Sequence, residues 1–230
     1  MKMWRGEGFS AEDQTGYENL LEIASAAQLE GFYYKPRIDA SLLREYGDGI
    51  IVGSACVNTW LNMPGADILL RDLLDMGRDI FFEVMPHDFP PQFKVNEFKI
   101  QMAKKWGVPL CATNDCHYPL PEHAYTHEVI LAMGQKKKWK DKDRWRYDMD
   151  TLFLATADEM IDLFQKQGVV KGRWLDEAMS NPLLIAGLCD HHIEKMPVLL
   201  PKVNIPKYKD LDEHDQLIQL TLDGFEWRKK

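Results

Sequence analysis

The sequence predicts an α/β fold built on a parallel sheet, and three observations carry that prediction. Short apolar runs of strand length, "GIIVGSA", "IFFEVM" and "VPLCAT", are bounded by glycine, proline or charged residues. Each is separated from the next by a helical stretch of about 10–15 residues, so the connections must be crossovers and the strands parallel, in an open sheet or a closed barrel. Residues able to do chemistry then follow all three runs: Ser54 to Cys56, Glu83 to His87 and Asn114 to His117. Those are the carboxyl ends of the strands, where α/β proteins place their sites.

The elements read in order as follows. Leu20, Leu21, Ile23, Ala24, Ala27 and Leu29 recur at helical spacing and Gly31 supplies a stop, so Gly16 to Gly31 is a helix. "IDASLLREY" is a short second helix, and "GDGIIVGSAC" a buried strand ending near Cys56. A helix starts after Pro64 in "MPGADILLRDLLDMGRD", "IFFEVM" is the next strand, "VNEFKIQMAKKWG" a helix closing at Gly107, and "VPLCAT" a third strand. "PEHAYTHEVILAMG" is helical. After Gly134 a charged, tryptophan-bearing segment without period precedes "FLATADEMIDLF", a short strand and capped helix. "GRWLDEAMSNPLLIAGLCD" is a helix despite Pro182. The prolines of "KMPVLLPKVNIPKYKDLDEHD" mark a linker, and "LDEHDQLIQLTLDGFEW" closes the chain as a helix.

Composition excludes several classes. At 230 residues and 45% apolar content the chain can bury a sizeable core. No run approaches the roughly 18–20 apolar residues of a membrane span, and "MKMWRGEGFSAEDQTG" has no apolar leader core, so the expected location is cytoplasmic, without a membrane partner. A formal charge of −8 argues against a surface built wholly for nucleic acid and leaves only local basic patches. Cys56, Cys111, Cys116 and Cys189 form no C-x-x-C pair and are too few for a disulfide scaffold.

Asp115-x-His117 at a strand end offers a carboxylate and an imidazole from one turn, a set suited to zinc, manganese or iron; the alternative is an Asp-capped turn with an ordinary histidine. Cys56 is either a thiolate ligand or a small buried hydrophobe. Glu83 faces a polar barrel mouth if its strand is buried, and His87 lies in the loop beyond. His123 and His127 share a helical face, but Glu128 follows the second histidine, so the H-E-x-x-H pattern is absent. Lys136, Lys137, Lys138, Trp139 and Lys140, with Lys142, Arg144, Trp145 and Arg146 beyond, interleave cations with aromatic faces, as single-stranded nucleic acid requires. Asp141, Asp143 and Asp148 dilute the run, so a solvated loop is the competing reading.

In this order, "EGFYYKPRIDASLL", "GIIVGSAC", "IFFEVMPHDFPPQFKVNEFKIQMAKKWGVPLCATNDCHY" and "MPVLLPKVNIP" resemble the alpha subunits of bacterial and phage DNA polymerase III, within their polymerase and histidinol phosphatase (PHP) domain. The resemblance implies an incomplete PHP-type (β/α)7 barrel with a C-terminal helical extension. Residues 1–15 form an N-terminal segment, 16–195 the C-terminal portion of the PHP domain, and 196–230 a linker and the start of the palm region. In that family the barrel's strand ends hold up to three metal ions, and some members act as 3′ to 5′ exonucleases. Motif by motif, the resemblance makes Cys56, Asp115 and His117 metal ligands, with Glu83 and His87 as further ligands or their neighbours, and zinc, manganese or magnesium as the metal.

The chain departs from the family pattern in having neither a His-x-His strand nor a Thr-Asp-His loop before Gly16. The implied function is that of a segment of a replicative DNA polymerase, carrying half of a metal-dependent phosphoesterase site that holds metal weakly. Alone it is expected neither to extend a primer nor to cleave DNA. The implied partners are DNA, the remaining parts of the alpha subunit and other replisome subunits. A sheet edge at "GIIVGS" or its neighbour should be unpaired. Two other readings stand beside this one: a free-standing PHP-class hydrolase, and a non-catalytic structural or interaction module.

Overall fold

The computed structural model describes residues 9–193, 195, 198 and 205–229. Within the proline-rich stretch read as a linker, residues 196, 197 and 199–204 lie outside the described residues, so the boundary expected between 195 and 196 does too. Contacts divide the chain into two units, Met1–His192 and Ile193–Lys230.

In the first unit, β1 (Phe9–Ala11) leads into α1 (Gln14–Leu29), and α2 (Ala40–Tyr46) precedes β2 (Ile50–Gly53). Next come α3 (Ala66–Asp75), β3 (Ile80–Val84), α4 (Pro90–Trp106) and β4 (Leu110–Ala112). Local chemistry sets most of these boundaries. The Asp13 carboxylate accepts from Gly16 N at the start of α1, and Asp39 caps α2 in the same way. Pro90 stands in the first turn of α4, and Gly107, at φ 70°, ends that helix in the left-handed conformation glycine tolerates best.

The sheet runs β1-β2-β3-β4, with β2, β3 and β4 parallel and in register through Val52–Ile80 and Phe82–Leu110. Alternation along each strand sends Ile50, Val52, Ile80, Phe82, Val84, Leu110 and Ala112 into the main core with residues of the surrounding helices. Ile51, Phe81 and Cys111 face the other way, into a smaller cluster closed by Ile185 and Leu188 of α7 (Arg173–Leu188) and by Cys189 just beyond it. Strands buried on both faces are what a parallel sheet demands. The result is an open four-stranded sheet with helices packed on it, consistent with the incomplete barrel expected from the sequence.

The strand at "GIIVGS" is not itself an edge, and the outermost strand is its neighbour β1. β1 pairs antiparallel with β2, Phe9 opposite Val52 and Ala11 opposite Ile50. The three residues of β1 are too few to show a period, so residues 9–15 read from the sequence as a separate segment although they carry β1 and the first turn of α1. At the far edge, α7 substitutes side chains for a strand: Glu177 Oε1 accepts from Leu110 N at 3.0 Å, and Asn181 Nδ2 donates to Leu110 O at 2.5 Å. Glu177 and Asn181 are four apart, hence on one helical face. Such covering removes the free backbone groups through which exposed edges aggregate.

After β4 come α5 (Ala124–Gly134) and α6 (Ala157–Gln167), the latter started by a reciprocal capping box between Thr156 and Glu159. The strand expected at "FLATA" reduces to a single bridge between Phe153 and Tyr118. Leu152 and Phe153 pack instead with Tyr118 in a separate apolar cluster. In the second unit, α8 (Glu213–Arg228) is capped by Asp212.

Candidate functional site

Three turns follow β2, β3 and β4 at one edge of the sheet, and they bring the sequence-derived candidates to the same side. The first, Ser54 to Cys56, contains Ala55 at φ 59°, a left-handed conformation that costs a residue with a side chain about 1–2 kcal/mol. The surroundings enforce it. Glu83 Oε1 accepts from Ala55 N at 2.7 Å, Ser54 Oγ accepts from Glu83 N at 2.8 Å, and Thr59 Oγ1 donates to Ser54 O at 2.7 Å. Glu83 therefore spends one carboxylate oxygen on holding the turn that carries Cys56. Lys99, on the buried face of α4, donates to carbonyls of the same turn, and burial lowers its amine to about 8 against the pull of Glu83 and Cys56.

The turn after β4 carries the Asp-x-His pair. Asp115 takes φ 50°, which aspartate tolerates better than most residues, and its Oδ1 lies 3.3 Å from His117 Nε2. Both residues are exposed. The His117 ring packs against Tyr147 at 4.9 Å and His127 at 5.5 Å between centroids. Burial raises the Tyr147 phenol, and the charges of Asp115 and Cys56 raise it further.

His87, read as a loop histidine beyond β3, is 2% exposed. Its Nδ1 is 3.0 Å from Thr151 Oγ1; its Nε2 is buried without a hydrogen bond of ordinary geometry. Burial pushes the imidazole below its usual value, against the pull of nearby Asp115 and with a smaller push from His117. As pH falls below about 6.5, the unfolded chain takes up a proton that folded His87 resists. Stability is therefore expected to decline from pH 7 to pH 5, and His87→Gln should flatten the decline in the urea midpoint. An unchanged slope in the variant would show that His87 does not carry the effect.

The donor types suit a divalent metal, but their number falls short. Among the described residues no three His, Cys, Asp or Glu side chains converge, whereas a catalytic zinc site takes three protein ligands. The described residues thus do not by themselves complete a metal site.

The basic run is held largely by its own residues and by Glu128, while its Trp145 packs edge-on against Tyr147, the ring beside His117. Arg144 is 5% exposed, pairs with Glu128 and lies over the Trp139 ring at 4.6 Å. Lys137 pairs with Asp143 at 2.5 Å, and Asp141 accepts from Lys138 N at 2.8 Å. Lys136, Lys138, Trp139 and Lys140 are exposed around this internally paired loop.

Sequence reasoning missed Lys99 and the structural use of Glu83. A signal for Lys99 existed: it lies four residues from both Val95 and Ala103, on the apolar stripe of α4.

Comparison with known proteins places these features. The PHP domain family model matches residues 7–87. The DNA polymerase III subunit alpha of Thermus aquaticus is 37% identical over 232 residues, spanning 93% of this chain and 18% of that one. That of Borreliella burgdorferi is 32% identical over 96% of this chain and 19% of its own length, and that of Aquifex aeolicus 33% identical over 95% and 19%. The chain thus spans about a fifth of the length of the curated relatives it matches.

Proposed function

We propose that the chain is a segment of a DNA polymerase III subunit alpha and serves DNA replication as part of the PHP module of such a polymerase. In this reading Cys56, Asp115 and His117 contribute one side of a zinc, manganese or magnesium site whose remaining ligands come from outside the described residues. The completed site acts as a 3′ to 5′ exonuclease on DNA in the cytoplasm, alongside the rest of the alpha subunit and other replisome subunits. Among the described residues no helix is long and apolar enough to cross a membrane. The supporting observation is the Asp115–His117 pair at the carboxyl end of β4, on the edge that also carries Cys56 after the parallel strand β2. A carboxylate and an imidazole held in one turn by a left-handed aspartate form an arrangement that a metal can finish. The exposed cations and ring of Lys136, Lys138, Trp139 and Lys140 are read here as DNA contacts.

The test supplies the family's His-x-His and Thr-Asp-His elements, in cis or in trans, and measures bound metal together with degradation of a DNA 3′ end. Asp115→Asn removes the charge at nearly constant shape, and His117→Ala removes the imidazole. Each should lower metal stoichiometry and reduce cleavage by at least about a hundredfold, beyond the roughly 10–100-fold of outer-shell changes. Full metal and full cleavage in both variants would make these residues structural. Without the added elements, the purified chain should neither extend a primer nor degrade DNA measurably.

A further inference from the structure

Lys99 has no exposed surface, although it carries a strongly hydrated ammonium. Its Nζ donates to three carbonyl oxygens: Ala55 at 2.5 Å, Glu83 at 2.8 Å and Cys56 at 3.3 Å. An ammonium has three N–H donors, so donors and acceptors match in number. Two acceptors belong to the turn after β2 and the third to β3, so one side chain from α4 ties two adjacent strand ends together. Glu83 holds the same turn through its carboxylate. A hydrophobic side chain would fill this position without the cost of desolvating a charge. What only the ammonium supplies is a point at which three carbonyls converge.

We propose that Lys99 is a positioning residue for Cys56: by gathering the carbonyls of Ala55, Cys56 and Glu83 it fixes where the Cys56 thiol stands at the edge it shares with Asp115 and His117. The functional consequence rests on the metal-site reading above; the positioning itself does not.

The experiment uses the purified chain without metal. Lys99→Met preserves length and apolar stem but has no donor, and Lys99→Gln keeps two N–H donors on a shorter neutral arm. Site-resolved alkylation by N-ethylmaleimide, read by mass spectrometry, follows Cys56 and Cys111 together, since Cys111 is buried under α7 and reports general opening. Hydrogen exchange of residues 54–57 is compared with that of β3 and β4. In Lys99→Met, Cys56 alkylation and exchange at 54–57 should rise by about tenfold or more, with Cys111 and the strands unchanged. Lys99→Gln should recover part of the protection. A Cys56 rate within twofold of wild type overturns the proposal, as does an equal rise at Cys56 and Cys111, which would make Lys99 a packing residue. If circular dichroism shows Lys99→Met unfolded, Lys99→Gln carries the test, with a selective rise at Cys56 as the supporting result and the same two overturning outcomes. Because alkylation is read without metal, its failure is distinct from a failure of Asp115 and His117 to bind one.

Discussion

Gly16→Ala is expected to destabilise the protein by about 3 kcal/mol or more, at the upper end of overpacking changes. Gly16 is buried in the first turn of α1, where the helix crosses the turn before β2. A Cβ built there overlaps the carbonyl of Gly49, coming within 2.6 Å of its carbon. That carbonyl cannot rotate away, because its oxygen accepts from Glu12 N at 2.9 Å and Gly49 is held at φ 66°. Relief requires α1 to lift, which exposes Ile23 and Ala27 and loosens the pairing of β1 on β2. Urea denaturation followed by far-UV circular dichroism measures the loss, and in thermal melts it corresponds to a drop of roughly 10 °C. Gly187→Ala is the control. It lies within α7 with nothing within 4 Å of the added carbon, so it should be neutral or stabilising by up to about 1 kcal/mol. Equal costs at the two glycines would mean that the close approach of α1 to Gly49 is not what Gly16 provides.

Trp60→Ala should cost about 3–5 kcal/mol, the range for truncating a buried aromatic. Trp60 is 1% exposed, belongs to the main core, and donates through Nε1 to the Gly53 carbonyl at 3.0 Å. It therefore anchors the far end of the segment that begins at β2 and carries Cys56. Trp60→Phe separates packing from hydrogen bonding: most of the ring remains, the Gly53 acceptor loses its donor, and the expected loss is about 1–2 kcal/mol. Denaturation midpoints at constant slope decide the matter. Equal losses for the alanine and phenylalanine variants would assign the whole effect to the hydrogen bond.

Much of the fold was legible because it is written locally. α1, α3 and α6 carry helical periods with capping residues at their starts or glycines beyond their ends, and β2, β3 and β4 are apolar runs of strand length. Glu83 shows where such reading stops. Its position in a strand was clear, and its orientation toward a polar edge was a fair expectation, yet its work is to accept a hydrogen bond from Ala55, 28 residues away. Likewise His87 follows a proline and reads as a loop residue, while Thr151, 64 residues on, comes to lie against its ring in a buried site.

The sequence by itself determined the parallel order of the strands, the single edge on which Cys56, Asp115 and His117 stand, and the likeness to DNA polymerase III alpha subunits that the relatives share. Those follow from periodicity, turn residues and short motifs, each contained in a few neighbouring residues. Only the tertiary structure decided that β1 covers β2, that Glu177 and Asn181 cap β4, that Lys99 is buried among three carbonyls, and that no three of the described donors converge. The reason is physical. A buried backbone group must find a partner wherever the packing brings one, and the cost of leaving it unpaired, about 1–3 kcal/mol, is the same whether that partner is 16 or 71 residues distant.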